Sequence, residues 1–330
     1  MKSSGIGGQA VLEGVMMRYK NDVAVAVRKP DGEITVDKRK TTSPKEKHKI
    51  LGWPIIRGVT SFVVSLVEGV RTLMYSANFY EADTDGKSEE KETGGKGEAV
   101  MMGGTVVVAV ILAVALFLLL PYYAAAGIMW LLGSESTVLL AIIEGVLKLA
   151  VFIGYIVAIS YMEDIKRTFM YHGSEHKCIN CIETGHELTV DNVMEASREH
   201  RRCGTSFIFF VLIISIIFFI FLRFDNRLLR FIVRILLIPV IAGVSYEFIQ
   251  WAGNTDSKVA AVLSKPGLLV QKLTTREPTR DMVEVAICSV EAVFDWRGYL
   301  RENGYEVSDP EPEAAEKAGD SDSPCGGCMP

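Results

Sequence analysis

The sequence predicts a mainly α, polytopic helical membrane protein with about four transmembrane helices. A small N-terminal β-hairpin module and a cytoplasmic helical face complete the expected fold. Three observations carry the prediction. Apolar residues, 49% of the chain, are concentrated in runs at 104–126, 138–162, 206–222 and 228–249, each near the roughly 20 residues that a bilayer crossing needs. Lys and Arg crowd the segments from Arg18 to Lys49 and from 163 to 205, whereas Gly133–Thr137 has none; this bias places both termini and the 163–205 segment on the cytoplasmic side of a cell (inner) membrane. Third, four of the five histidines and three of the six cysteines lie between Tyr171 and Gly204, in a polar stretch between two apolar ones. The net charge of −5 argues against a nucleic-acid partner. Cysteines in C-x-x-C pairs read as thiols in a reducing compartment.

Taken in order, residues 1–53 form the cytoplasmic β-containing module. Met1–Gly8 lacks the apolar core of a cleavable leader. The glycine-rich Gly5–Ala10 is expected to be a tight turn. Alternating residues at Asp22–Val27 and Glu33–Asp37 flank Pro30-Asp31-Gly32 and predict a hairpin. Residues 54–80 are apolar but interrupted by Arg57, Glu68 and Arg71, so an interfacial or re-entrant amphipathic helix is expected. An acidic, polar linker follows at 81–102. Residues 103–162 hold spans one and two, with a kink at Pro121 and a Glu144–Lys148 pair one helical turn apart.

The loop at 163–205 carries the His/Cys motif, and within it Asp191–His200 is expected to be a short helix capped by Asp191. Spans three and four occupy 206–250. Arg223, Arg227, Arg230 and Arg234 fall at helical spacing and predict a basic stripe near the outer surface, suited to phospholipid headgroups. Residues 251–304 form a cytoplasmic helical region, with a turn at Lys265-Pro266-Gly267 and one helix from Asp281 to about Leu300, on which Glu284 lies within reach of the motif. The tail at 305–330, ending Cys325-Gly326-Gly327-Cys328, reads as disordered.

The chemistry is concentrated in His172-Gly173-Ser174-Glu175-His176. On a helix, His172 and His176 share a face. This is the inverted zincin spacing, in which two imidazoles bind zinc and the Glu serves as general base. Gly173 weakens the helix, at about 1 kcal/mol against Ala. A third ligand is needed, and Cys178, Cys181, His186, Glu195, His200, Cys203 and Glu247 are the candidates, with Glu247 first because it ends the fourth span on the same side as the motif.

Gly7–Arg18, Tyr171–Lys177, Arg202–Phe207 and Leu273–Pro278 followed by Glu284-Val285-Ala286 together resemble the YqhQ-like bacterial membrane family. That family has no known function and is often labelled a predicted metal-dependent enzyme. Where it usually reads His-Pro-Arg-Cys, this chain has Arg201 after His200. Two readings follow. One is a metal-dependent enzyme, a hydrolase in which His172, His176 and a carboxylate hold a zinc-like divalent ion and Glu175 takes a proton from water. The other is a scaffold, lipid-handling or accessory protein stapled by a structural zinc.

Overall fold

The computed structural model describes residues 3–42, 49–84, 96–221, 227–255 and 257–308. Arg223 and the Cys325/Cys328 tail lie outside the described residues, as do residues 85–95 of the expected linker.

The N-terminal module is a four-stranded antiparallel meander: β1 (Gly7–Val11), β2 (Gly14–Tyr19), β3 (Asp22–Arg28) and β4 (Ile34–Lys40). The predicted hairpin is β3–β4, closed at Arg28↔Ile34. The glycine-rich stretch is not a turn. It is strand β1, paired along its length with β2, and Gly8 within it can sit at a crowded place because it has no side chain.

Alternation along the strands gives the sheet two apolar faces. Val15, Met17, Ala24 and Ala26 face two helices, α5 (Glu163–Glu183) and α10 (Arg280–Val293). Val11, Met16, Val23 and Val25 face Tyr75, Phe79 and Tyr80 near the end of a long helix, α1 (Ile56–Thr84). The hairpin module is thus the middle layer of a helix–sheet–helix core.

Four helices among the described residues are long and apolar enough to cross a membrane. The first comprises α2 (Lys96–Val114), a π-helical turn at Ala115–Leu119, and α3 (Leu120–Leu131). Pro121 lacks an N–H, and the wider turn just before it absorbs that lost bond. The others are α4 (Thr137–Ile159), capped by the Ser136 hydroxyl, α7 (Gly204–Phe221) and α8 (Arg227–Gly253).

The Glu144–Lys148 pair forms as expected, at 2.7 Å. Arg234 departs from its predicted role. Its guanidinium turns inward to Glu144, at 2.9 Å, and over the Phe219 ring. A buried carboxylate is a strong partner for a guanidinium. Arg227 and Arg230 lie on α8.

Three further expectations are corrected. The Asp191–His200 helix is only the short α6 (Val190–Glu195), capped by Thr189 rather than Asp191. Residues 196–203 then run irregularly, because their carbonyls are taken by side chains of α5. Lys265-Pro266-Gly267 lies inside α9 (Lys258–Thr274). Gly267 there lets α7 approach so closely that a Cβ would sit 2.9 Å from Ser206 Oγ. The last predicted helix is two: α10, then α11 (Trp296–Glu302), restarted by the Asp295 carboxylate accepting from Gly298 N–H.

Candidate metal centre

The motif sits on α5, a helix buried along most of its second half. Gly173 does not break it. At that position the neighbouring chain passes so close that a Cβ would lie 2.0 Å from the Arg276 carbonyl oxygen. Glycine is there for the contact, and helix formation follows from burial of the surrounding turns.

His172 and His176 stand one turn apart with ring centroids 4.4 Å apart. Each ring is oriented by a backbone carbonyl: His172 Nδ1 lies 2.8 Å from Thr274 O, and His176 Nδ1 lies 2.7 Å from Arg198 O. A carbonyl only accepts, so each Nδ1 carries a proton, and Nε2 is the ring atom each histidine turns away from its carbonyl. Cys203, just before α7, brings its Sγ to 3.2 Å from His172 Nε2. One ligand atom from each of the three residues falls within 4.8 Å of the others.

Electrostatics bind the trio further. Burial disfavours charge on both His172 and Cys203, but each supports the other. The thiolate beside it raises His172 to about 9, and the two imidazoles hold Cys203 well below its usual range. Glu175 is buried next to them. Desolvation raises its pKa against the pull of the two histidines, and Gly8 N–H donates to it. A Cβ on Gly8 would come within 3.0 Å of that carboxyl and 2.6 Å of Met16 O, so the glycine-rich strand is what lets the sheet touch Glu175.

The cysteine is positioned by a residue that sequence reasoning missed. Gln271 of α9 is fully buried. Its Oε1 accepts from His200 N–H at 2.9 Å, while its Nε2 donates to His200 O and Ser206 Oγ, both at 2.7 Å. The clamp fixes the chain on both sides of Cys203. Only a buried Gln in the second half of α9 hinted at it, and nothing in the sequence paired it with residue 200.

The remaining candidates point elsewhere. Both Glu247 oxygens are engaged by Arg57, one of them from Nε at 2.6 Å, so the first-choice third ligand is tied to α1 and Cys203 takes that place. His200 directs Nε2 toward Glu183, 3.5 Å away. Cys181 gives its thiol to Glu187 O at 3.3 Å, and burial pushes it up to about 12. Glu284 pairs with Arg28.

A cavity of about 570 Å³ opens over the three donors, lined by His172, Glu175, His176 and Cys203 together with β1, α1 and the start of α7.

Residues 53–296 match a family described as a protein of unknown function, DUF1385. The chain belongs to this family. It is 36% identical over 286 residues to the uncharacterized protein YqhQ of Bacillus subtilis (strain 168), covering 85% of this chain and 89% of that protein. No solved structure matches. The DUF1385 match takes in His172, Glu175, His176, Cys203 and Gln271, whereas Gly8 lies outside it.

Proposed function

We propose that this DUF1385 protein is a metal-dependent hydrolase working at the cytoplasmic face of a bacterial inner membrane. The observation that carries the reading is the convergence of two carbonyl-oriented imidazoles and one cysteine sulfur beneath an open cavity, with a buried carboxyl at its edge. Two nitrogens and a soft sulfur suit a zinc-type ion. Among the described residues three donors converge, not four, and a site of that kind leaves a position for water, as catalytic sites do and closed structural sites do not. A divalent ion held there would make bound water a nucleophile near neutral pH. Glu175 then accepts one proton from the attacking water and returns it to the leaving group, so atoms and charge balance over the cycle. Gly8 N–H keeps that carboxyl aimed, and the Thr274 and Arg198 carbonyls keep the imidazoles aimed.

The membrane placement belongs to the same reading. Lys166, Arg167, Arg198, Arg201 and Arg202 cluster at the ends of spans on the motif side, and the Gly133–Ser136 turn at the opposite ends carries no Lys or Arg. On the positive-inside tendency, this reading has the motif and both termini in the cytoplasm, with Arg223, Arg227 and Arg230 the exception at the opposite ends.

A structural staple is the competing reading, favoured by the way the trio ties α5 to the start of α7. Metal analysis of detergent-purified protein separates the two. About one zinc-like ion per chain is expected, lost in His172→Ala, His176→Ala and Cys203→Ser. Glu175→Gln should keep the ion and the protein level, yet fail to complement a deletion strain. A fully complementing Glu175→Gln protein would establish the staple. A His172→Ala/His176→Ala double variant that still carries its full metal would end both readings.

A further inference from the structure

The cavity above the donors is lined by polar side chains, Gln9, His172, Glu175 and Arg202 among them, and by Phe62 and Leu66 of α1 with Phe207, Ile208 and Ile249. The Phe62 and Phe207 rings meet at 5.5 Å and make an apolar end. Phe207 and Ile208 belong to the first turns of α7, one of the four membrane-length helices, so this end of the cavity lies at the depth where a span begins.

Helix α1 makes the other wall, and ahead of the Tyr75, Phe79 and Tyr80 contacts with the sheet its amphipathicity is inverted. The face turned to the protein carries Glu68, Gly69, Thr72 and Ser76, whereas Phe62, Val63, Leu66, Val67 and Val70 are exposed. A helix packed on a water-soluble body shows the opposite pattern. Its N-terminal end meets α8 at Gly243, where Gly58 and Ile55 touch backbone. That contact lies ten residues before the α8 terminus at Gly253, about 15 Å along the helix axis at 1.5 Å per residue. The exposed apolar face of α1 thus continues the belt of the spans.

The rim between the two walls is apolar and faces outward: Phe62, Leu66 and Ile208 are 41%, 56% and 46% exposed. The cavity shares Gly8, Gln9, Ser65 and Arg202 with a neighbouring space of about 450 Å³, which Arg18 and Lys20 also line. Glu68, the acidic side chain there, is held by Arg39.

We infer that the site takes a membrane-borne amphiphile with a phosphate-bearing head. It reaches the donors sideways between α1 and α7, its chain along Phe62, Leu66 and Ile208, its head over His172 and Glu175 toward Arg18 and Lys20. The substrate class rests on the hydrolase reading, but the seat itself does not depend on the metal. Each of the two volumes lies within the range of small-molecule sites. An apolar rim at membrane depth favours a lipid chain over a free, soluble ester, because each methylene seated there gains about 0.8 kcal/mol.

The test uses the full-length, metal-analysed protein in mixed micelles with a phosphatidylglycerol carrying a photoreactive diazirine on its acyl chain. Adducts should concentrate on the peptides holding Ser61–Leu66 and Gly204–Ile208. Ser65 is exposed at the cavity mouth, so Ser65→Trp should fold, and should cut those adducts by about tenfold, the effect of denying roughly two methylenes their burial. Leu66→Glu should act alike, and Val108→Trp, on the exposed side of α2, should change nothing. Adducts spread evenly over the spans, or unmoved by both mouth variants, would overturn the seat. So would full competition by soluble glycerol phosphate. Concentrated, mouth-dependent adducts on a protein without metal would confirm the seat and refute the hydrolase reading instead.

Discussion

Gly173→Ala is the substitution that most directly probes how the centre is built. By helix propensity alone it should stabilise α5 by about 1 kcal/mol. The tertiary contact says otherwise. The new Cβ would lie 2.0 Å from the Arg276 carbonyl, against the 3.4 Å at which ordinary contact begins, so the two backbones must part by about 1.4 Å. Two hydrogen bonds resist that movement: Arg276 N–H to Phe169 O at 2.9 Å, and His172 Nδ1–H to Thr274 O at 2.8 Å. Overpacking of a buried contact costs about 1–3 kcal/mol, which leaves a net destabilisation of up to about 2 kcal/mol. Metal binding should suffer more visibly. Drawing Thr274 O away from His172 removes an outer hydrogen bond of the kind worth about 10–100-fold in affinity. Thermal unfolding in detergent and a competitive zinc titration read both quantities. Gly154→Ala in α4, where a Cβ meets nothing within 4 Å, is the control and should lose neither. A Gly173→Ala protein as stable as its parent, with unchanged zinc affinity, would refute the argument.

Other expectations follow from the same geometry. Burial would raise Glu183, but His200, Arg202 and Ser4 hold it down at about 2, against 4.5 ordinarily. Because the folded value is depressed, this stabilisation is complete above about pH 4.5 and is lost as pH falls toward 2. Glu183→Gln should therefore flatten the acid limb of the stability profile by about 3 kcal/mol, and an unchanged acid limb would contradict the assignment. Glu144→Ala leaves Lys148 and Arg234 facing each other without their carboxylate, which should cost about 3–5 kcal/mol in detergent unfolding. The Glu144→Ala/Arg234→Ala double variant should recover part of that loss, and strict additivity of the two single changes would deny the coupling. For topology, with Cys325 and Cys328 replaced by Ser, Ser136→Cys should react with an impermeant maleimide on intact cells and Arg301→Cys should not. Cys178, Cys181 and Cys203 are buried and stay silent from either side, so labelling at residue 301 would reverse the orientation.

How much of this was readable beforehand depends on whether the cause was local. The apolar runs and the Pro30-Asp31-Gly32 turn act within a few residues, and they foretold the four membrane-length helices and the β3–β4 hairpin. The His172–His176 spacing likewise foretold that both rings share a face once α5 is a helix. Failures came where distant backbone decides. Pro266-Gly267 reads as a turn in isolation, but close packing against Ser206 keeps it helical. Glu247 was favoured as third ligand from its place at a span end, yet α1 carries Arg57 to it, and no local pattern signals that pairing.

Cys203 was visible as one thiol among several. What distinguishes it is a clamp from Gln271, some seventy residues further along, which acts through main-chain groups of His200. The centre's orienting partners, Thr274 O, Arg198 O and Gly8 N–H, are main-chain atoms too. Main-chain atoms have the same chemistry whatever the residue, so a substitution at those positions would preserve the bond provided the backbone path survived. The readable part of such a site is its donors, and the unreadable part is the backbone that aims them. For this reason Gly8 and Gly173, which contribute no side chain, constrain the centre as tightly as the histidines: each marks a place where two stretches of backbone must come together before any donor can point.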